Sequence, residues 1–367
     1  NKPVKDDVFE LSKIFDLMNI NTFLFSKPAE PYWSIIKEIL RRDTEATKII
    51  PQDSETRTFF HDIPVIDDFS PLAISNALSK RKSAIIRNMG IVTYGTVSPE
   101  QAFVSFSSTC FSTFVKYFYD SLLYFEDCYL KGLPPDPKEL LNFKKIIILL
   151  QPSAFSHMPL ITFRPETEDD VIMMLSEAGR AVVNAHLVDS YFGNISYVYK
   201  DNIYISQTGS SMDELEGCID VVPLNGSSSR GITASSELSA HKNIFYATGD
   251  NAILHGHPRF SVIMSMYCEI KECPHFRDID YCYRKCKNRR YVAGVPVVSG
   301  EIGTGPTGLV NTVPEAMKEG KGVIVFGHGV FTSGKDNFQK PFNMLSDIEE
   351  RCKIAYFETI EKFGVIV

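Results

Sequence analysis

The stretch Ala252-Ile-Leu-His-Gly-His-Pro258 is short, apolar at its start and stopped by a proline. Its composition predicts a buried strand over 252–256. On a strand, residues i and i+2 point to one face. His255 and His257 therefore aim two imidazoles at a common point, as a metal ion requires. A third nitrogen can come from His328 in Gly327-His-Gly329, where flanking glycines allow close backbone approach. Three protein ligands with one position left open suit a catalytic zinc better than a structural one. Two histidines satisfied by ordinary hydrogen bonds near a sheet end would also fit a lone His-X-His pair, so the surroundings must decide.

Glu237 lies upstream in Ser235-Ser-Glu237. A helix is expected over 235–246 with Ser as its N-cap, and Glu237 would then favour the first turn electrostatically. The functional alternative is a proton-transferring carboxylate, or a displaceable fourth ligand, beside the metal. Further out, Asn194 to Val198 and Asn202 to Ser206 read as a hairpin turning near Asp201. Helical spacing covers 169–186, 308–319 and 336–362, and strands are expected at 322–326 and 330–332. Gly193-Asn-Ile-Ser196 and Thr208-Gly-Ser210 are polar clusters bounding strands. They suit turns, and equally a phosphate held by backbone N–H groups and hydroxyls.

Such local groups would be needed for an anionic substrate. The 367 residues carry a net charge of -7, with 44% hydrophobic and 23% charged residues. That balance gives no reason to bind nucleic acid or an anionic membrane. No apolar run approaches the ~20 residues of a membrane span, and Asn1 to Asp7 has no signal core. A cytoplasmic protein is expected. Cys110, Cys128, Cys218 and Cys352 sit among apolar neighbours and read as free thiols.

An internal repeat is visible. Ala84-Ile-Ile-Arg-Asn-Met-Gly-Ile-Val-Thr-Tyr-Gly95 aligns without gaps to Val323-Ile-Val-Phe-Gly-His-Gly-Val-Phe-Thr-Ser-Gly334. Both copies follow a helical segment and precede a long one. Met89 stands where the second copy has His328. A thioether is a poor ligand for a hard or borderline cation, so the first copy should be chemically silent, with Met89 buried. Residues 1–135 are expected to hold N-terminal helices and this half-module. The turn-rich 136–165 is expected to be a linker, and 166–367 a catalytic domain.

The order Gly193-Asn-Ile-Ser, Thr208-Gly, Ser235-Ser-Glu, His255-Gly-His-Pro, Gly327-His-Gly resembles the class II aldolase/adducin family over about Glu168 to Lys362. The resemblance implies an α/β fold, α/β/α layered with a mainly antiparallel central sheet, here preceded by a degenerate half-copy. It implies His255, His257 and His328 as ligands of zinc or a similar divalent ion, and Glu237 as the acid/base. It implies Asn194, Thr208, Gly209, Ser235 and Ser236 as the phosphate site of a small sugar phosphate. The implied activity is retro-aldol cleavage through a metal-stabilised enediolate, in a homo-oligomer. An epimerase or dehydratase of the family, or a non-catalytic adducin-like assembly protein, are the alternatives; the three histidines argue against the last.

The chain departs from the family after His-X-His. An apparent insertion, 268–290, makes the family's tyrosine proton donor unassignable among Tyr281, Tyr283 and Tyr291. It also carries Cys268, Cys273, Cys282 and Cys286. Their spacing fits a structural zinc site only loosely.

Overall fold

The structure is a computed structural model that describes residues 10–150, 158–189, 191–226, 228–301, 305, 307–320 and 322–366. It divides into two compact units, residues up to 151 together with those from 362, and residues 152–361.

The first unit runs α1 (Ile14–Leu17), β1 (Thr22–Ser26), α2 (Tyr32–Arg42), β2 (Lys48–Ile49), α3 (Ser54–Phe60), β3 (Ile63–Ile66), α4 (Pro71–Leu78), β4 (Ser83–Ile86), β5 (Gly90–Gly95), α5 (Pro99–Leu130), α6 (Pro137–Ile148). Its sheet has the order β1-β5-β4-β3-β2. Ile74, Leu78, Ala84, Ile86 and Val92 form a core beneath it. Helix α5 buries many hydroxyls, and several of them return their hydrogen bonds to its own carbonyls one turn back. Ser108 donates to Val104 at 2.7 Å, Thr109 to Ser105 at 2.8 Å, and Thr113 to Thr109 at 2.9 Å.

The segment 136–165, expected to be linker, contains α6. Pro137 occupies the first helical turn, and the Asp136 side chain accepts from the N–H groups of Lys138 and Glu139. The proline-rich stretch therefore starts a helix rather than breaking the chain. Phe143 anchors it, packing edge-on against Phe118 and Phe125.

The second unit runs α7 (Glu168–Asn184), β6 (Asn194–Tyr199), β7 (Asn202–Ser206), β8 (Ile219–Pro223), a 3-10 turn (Ser229–Ile232), α8 (Leu238–Thr248), β9 (Ala252–Gly256), α9 (Arg259–Met266), α10 (Ile279–Lys285), β10 (Arg290–Val292), β11 (Val295–Val298), α11 (Leu309–Met317), β12 (Gly322–Val325), β13 (Gly329–Gly334) and α12 (Gln339–Lys362). The eight-stranded sheet has the order β10-β11-β12-β13-β9-β6-β7-β8. Only β11 and β12 pair in parallel; every other neighbouring pair is antiparallel. A core of Ala240, Ile244, Val313, Val323 and Phe331 binds α8 and α11 to it. Among the described residues, no helix is long and apolar enough to cross a membrane.

The half-copy is real and larger than the repeat alone implied. In the first unit β4 pairs with β5 from Ser83↔Thr93 to Ile86↔Gly90; in the second β12 pairs with β13 from Gly322↔Thr332 to Val325↔Gly329. The registers coincide under the gapless alignment. Beyond them, β3 pairs in parallel with β4 as β11 does with β12. Strand β1 pairs with β5, Phe25↔Val92, as β9 pairs with β13, His255↔Phe331. Strand β2 edges β3 as β10 edges β11. All five strands of the first sheet thus have counterparts in the same order, and only β6–β8 have none. Met89, in the turn between β4 and β5, is not buried as expected but 39% exposed, whereas His328 in the equivalent turn is buried.

Candidate metal centre

Strand β9 lies between β13 and β6, so its side chains are enclosed from both sides. His255, near its end, faces Asn194 across one strand pair and Phe331 across the other. His257 follows the strand, just before Pro258. His328 sits in the turn between β12 and β13, closed by its own N–H donating to Val325 at 3.1 Å. Gly327 has φ +60°, a conformation glycine adopts without steric cost. Gly329 allows the close approach: a Cβ there would meet the Gly256 carbonyl oxygen at 2.5 Å and His255 Cε1 at 2.7 Å.

The three imidazoles converge. His257 Nε2 lies 2.9 Å from His255 Nε2, which lies 3.2 Å from His328 Nε2. Their ligand atoms all fall within 4.8 Å of one another, and all three residues are buried. Phe331 stacks on His255 at 4.0 Å and Phe192 on His257 at 5.3 Å, which fixes both rings against apolar walls. Burial lowers the His255 imidazole to about 4 and takes His257 well below its ordinary value. Neutral rings with lone pairs aimed at one point are what a divalent cation needs. The residues therefore fit such an ion.

Glu237 completes the cluster. It occupies the N-cap position of α8, which begins at Leu238 rather than at Ser235, yet its side chain makes no capping bond. The carboxylate turns into the site instead. Oε1 lies 3.1 Å from His328 Nε2 and Oε2 lies 3.5 Å from His255 Nε2. Burial alone would raise its pKa, but the neighbouring imidazoles of His255 and His328 hold it below the usual carboxylate range.

Sequence reasoning missed His241, one turn along α8 from Glu237 and wholly buried. Its spacing of four residues from Glu237 places both on one helix face, the one signal available beforehand. It bonds to Asn194 and Ser196.

The expected phosphate residues are brought together only in part. An isolated bridge joins Gln207 to Ala234, setting Thr208-Gly209 beside Ser235-Ser236. Thr208, Gly209 and Ser236 are exposed, and a Cβ on Gly209 would meet nothing within 4 Å. The Thr208 hydroxyl donates to Ala234 at 3.0 Å. Ser235 is buried, its hydroxyl accepting from the Glu237 N–H at 3.3 Å. Asn194 is also buried, and its amide is committed to Glu237 and His241.

The insertion after the histidines forms α10 and flanking turns. Its four cysteines are free thiols. Among the described residues the histidine triad is the one group of three or more potential ligands whose donor atoms all lie within 4.8 Å of one another; in the insertion, burial and then the neighbouring Cys286, Cys268 and Cys273 push the Cys282 thiol up to about 11. Separate bonds hold them, such as Cys282 Sγ to the His275 carbonyl and Asn288 to Cys273 Sγ. Of the candidate tyrosines, Tyr281 stacks on His275 at 3.4 Å, and the Tyr291 hydroxyl donates to Glu319 at 3.1 Å.

Residues 174–356 match the model of the class II aldolase and adducin N-terminal domain. Among solved structures, the chain is similar to an L-fuculose-1-phosphate aldolase from Thermus thermophilus, with 21% identity over 53% of this chain and 98% of that one, TM-score 0.42. Another L-fuculose 1-phosphate aldolase gives 24% identity over 55% and 91%, TM-score 0.42. A sugar-phosphate aldolase from Thermotoga maritima gives 19% identity over 51% and 94%, TM-score 0.37. No curated protein matches. The matched segment spans the strands and helices that carry Asn194, Glu237 and all three histidines, and through it the chain belongs to the class II aldolase/adducin family.

Proposed function

We propose that this chain is a divalent-metal-dependent lyase that cleaves a small sugar phosphate between carbons, in the retro-aldol sense or its reverse. The observation that carries the reading is the convergence of three buried imidazoles with a carboxylate already beside them. His255, His257 and His328 would hold the ion, with zinc the best match to three imidazoles and an open position. Such an ion supplies Lewis acidity that stabilises negative charge on a substrate oxygen. Glu237 holds and moves the proton: Oε1 faces the ligand nitrogens, and a carboxylate so placed takes a proton from a substrate hydroxyl or carbon and returns it. Phe192 and Phe331 exclude water from the rings. Thr208, Gly209 and Ser236 form an uncharged rim from which hydroxyls and backbone N–H groups would take a phosphate. The four insertion cysteines would take part only if a metal drew them together.

The same residues serve epimerisation or dehydration, which share the proton abstraction. Incubation with a panel of sugar 1- and 5-phosphates separates these outcomes. Release of dihydroxyacetone phosphate or glycolaldehyde phosphate is expected. A metal-loaded protein that turns over no sugar phosphate would leave the non-catalytic, adducin-like reading in place. A homo-oligomer in a cytoplasmic setting completes the proposal, and size-exclusion chromatography of the purified protein tests the assembly.

A further inference from the structure

Behind the carboxylate lies a chain of three buried polar side chains. Asn194 Nδ2 is 2.8 Å from Glu237 Oε2, Asn194 Oδ1 is 2.5 Å from His241 Nε2, and His241 Nδ1 is 2.6 Å from Ser196 Oγ. The directions follow from chemistry. A carboxylate only accepts, so Asn194 must turn its NH2 toward Glu237 and its carbonyl oxygen toward His241. His241 Nε2 must then carry a proton, and Nδ1 must accept from the Ser196 hydroxyl. Each of the three links then pairs one donor with one acceptor.

We propose that His241 is a positioning residue, holding the Asn194 amide so that it clamps one oxygen of Glu237 and leaves the other facing the metal ligands. This rests on the function proposed above and assigns Asn194 to the base rather than to phosphate. The ring is placed rigidly for the task. It sits on α8 one turn beyond Glu237, edge-on to Phe331 at 5.8 Å. Asn194 begins β6 directly beside His255, and Gly193 before it, at φ +84°, lets the strand start there, since a Cβ would meet the His255 carbonyl at 2.3 Å. Without His241, the amide could rotate and present its carbonyl oxygen to the carboxylate, releasing Glu237 from its orientation. Partners of this kind, one step behind a metal site, typically alter activity by about 10- to 100-fold.

The test uses the full chain as His241→Leu and His241→Gln, since a glutamine amide can replace the Nε2–H donor and leucine cannot. Two readouts are compared. The first is the side-chain amide resonance of Asn194 in metal-free protein, assigned by its loss in Asn194→Asp. It should move in the leucine variant and return toward wild type in the glutamine variant. The second is steady-state kinetics of zinc-loaded protein on sugar phosphates. The leucine variant should lose about 10- to 100-fold in kcat with KM and zinc content unchanged, and glutamine should restore most of it. If the leucine variant does not fold, Ser196→Ala removes only the hydroxyl that sets the tautomer and should move the same resonance. An unmoved Asn194 resonance, or a leucine variant with wild-type kcat, overturns the proposal. A wild type inactive on every sugar phosphate would instead sink the enzymatic reading, and the resonance would still judge the clamp.

Discussion

Met89 stands in the first unit where His328 stands in the second. Each closes the turn between two antiparallel strands, the Met89 N–H donating to Ile86 at 3.0 Å and the His328 N–H to Val325 at 3.1 Å. The backbone is the same and the chemistry is not. The strand residues opposite repeat the contrast, Phe25 in one sheet matching His255 in the other. A thioether and a phenyl ring offer a divalent cation nothing, so the metal should load into one unit alone.

That gives the first prediction. Purified protein should hold about one ion per chain. His328→Ala should lose it and abolish turnover, whereas Met89→Ala should leave the metal content unchanged. Equal loading of wild type and His328→Ala by elemental analysis would refute the assignment.

Glu237→Gln should keep the fold and most of the metal, because the three histidines remain. Turnover should fall by ~100-fold or more if the carboxylate carries the proton. Unchanged kcat would reduce Glu237 to a residue that merely precedes α8.

How far the sequence went differs by element. The pattern 194–206 and the stretch 252–258 were legible because strand alternation and turn residues are local signals. Helix α8 started three residues later than expected, since Glu237 serves the site and leaves the cap unfilled. Strands β1 and β2 were not assigned, because what defines them is pairing with β5 and β3, far away in sequence. Strand β8, at Ile219–Pro223, went unread for the same reason. His241 escaped because a single histidine in a helix looks like any other until its partners on β6 are known.

Gly329→Ala tests the packing of the site without touching a ligand. The added methyl would meet the Gly256 carbonyl at 2.5 Å, His255 Cε1 at 2.7 Å and His257 Cδ2 at 3.0 Å. Metal affinity should drop by about tenfold or more. Gly320→Ala, where a Cβ meets nothing within 4 Å, is the control and should bind metal normally. Isothermal titration with zinc compares the two.

Acid should weaken the metal-free fold in a defined window. Burial lowers His255 to about 4 and His241 to about 3, whereas an unfolded histidine titrates near ~6.5. Between these values the unfolded chain binds protons that the folded one refuses, so stability rises with pH. The contribution is fully present above ~6.5 and is lost as pH falls toward 4 and then 3. Thermal melts in chelator at pH about 7.5 and about 5 should show a lower Tm at the acid value. His241→Gln, with no imidazole to protonate there, should flatten the slope. A Tm that rises on acidification would contradict the burial argument.

The matched registers bear on how this chain reaches its native state. During folding, the hairpin from Ala84 to Gly95 and that from Val323 to Gly334 are candidates for each other's places, since each fits a slot with the same neighbours and the same strand order. Duplicated modules are prone to such exchange. The two hairpins differ at eight of twelve aligned positions, including Arg87 against Phe326 and Tyr94 against Ser333. An exchanged Arg87 would be put where Phe326 is buried, and an exchanged Phe326 would leave Asp67 without the guanidinium it pairs with at 2.8 Å. Divergence between the copies thus does more than silence one of them: it makes the wrong pairing costly, so that each hairpin finds its own sheet.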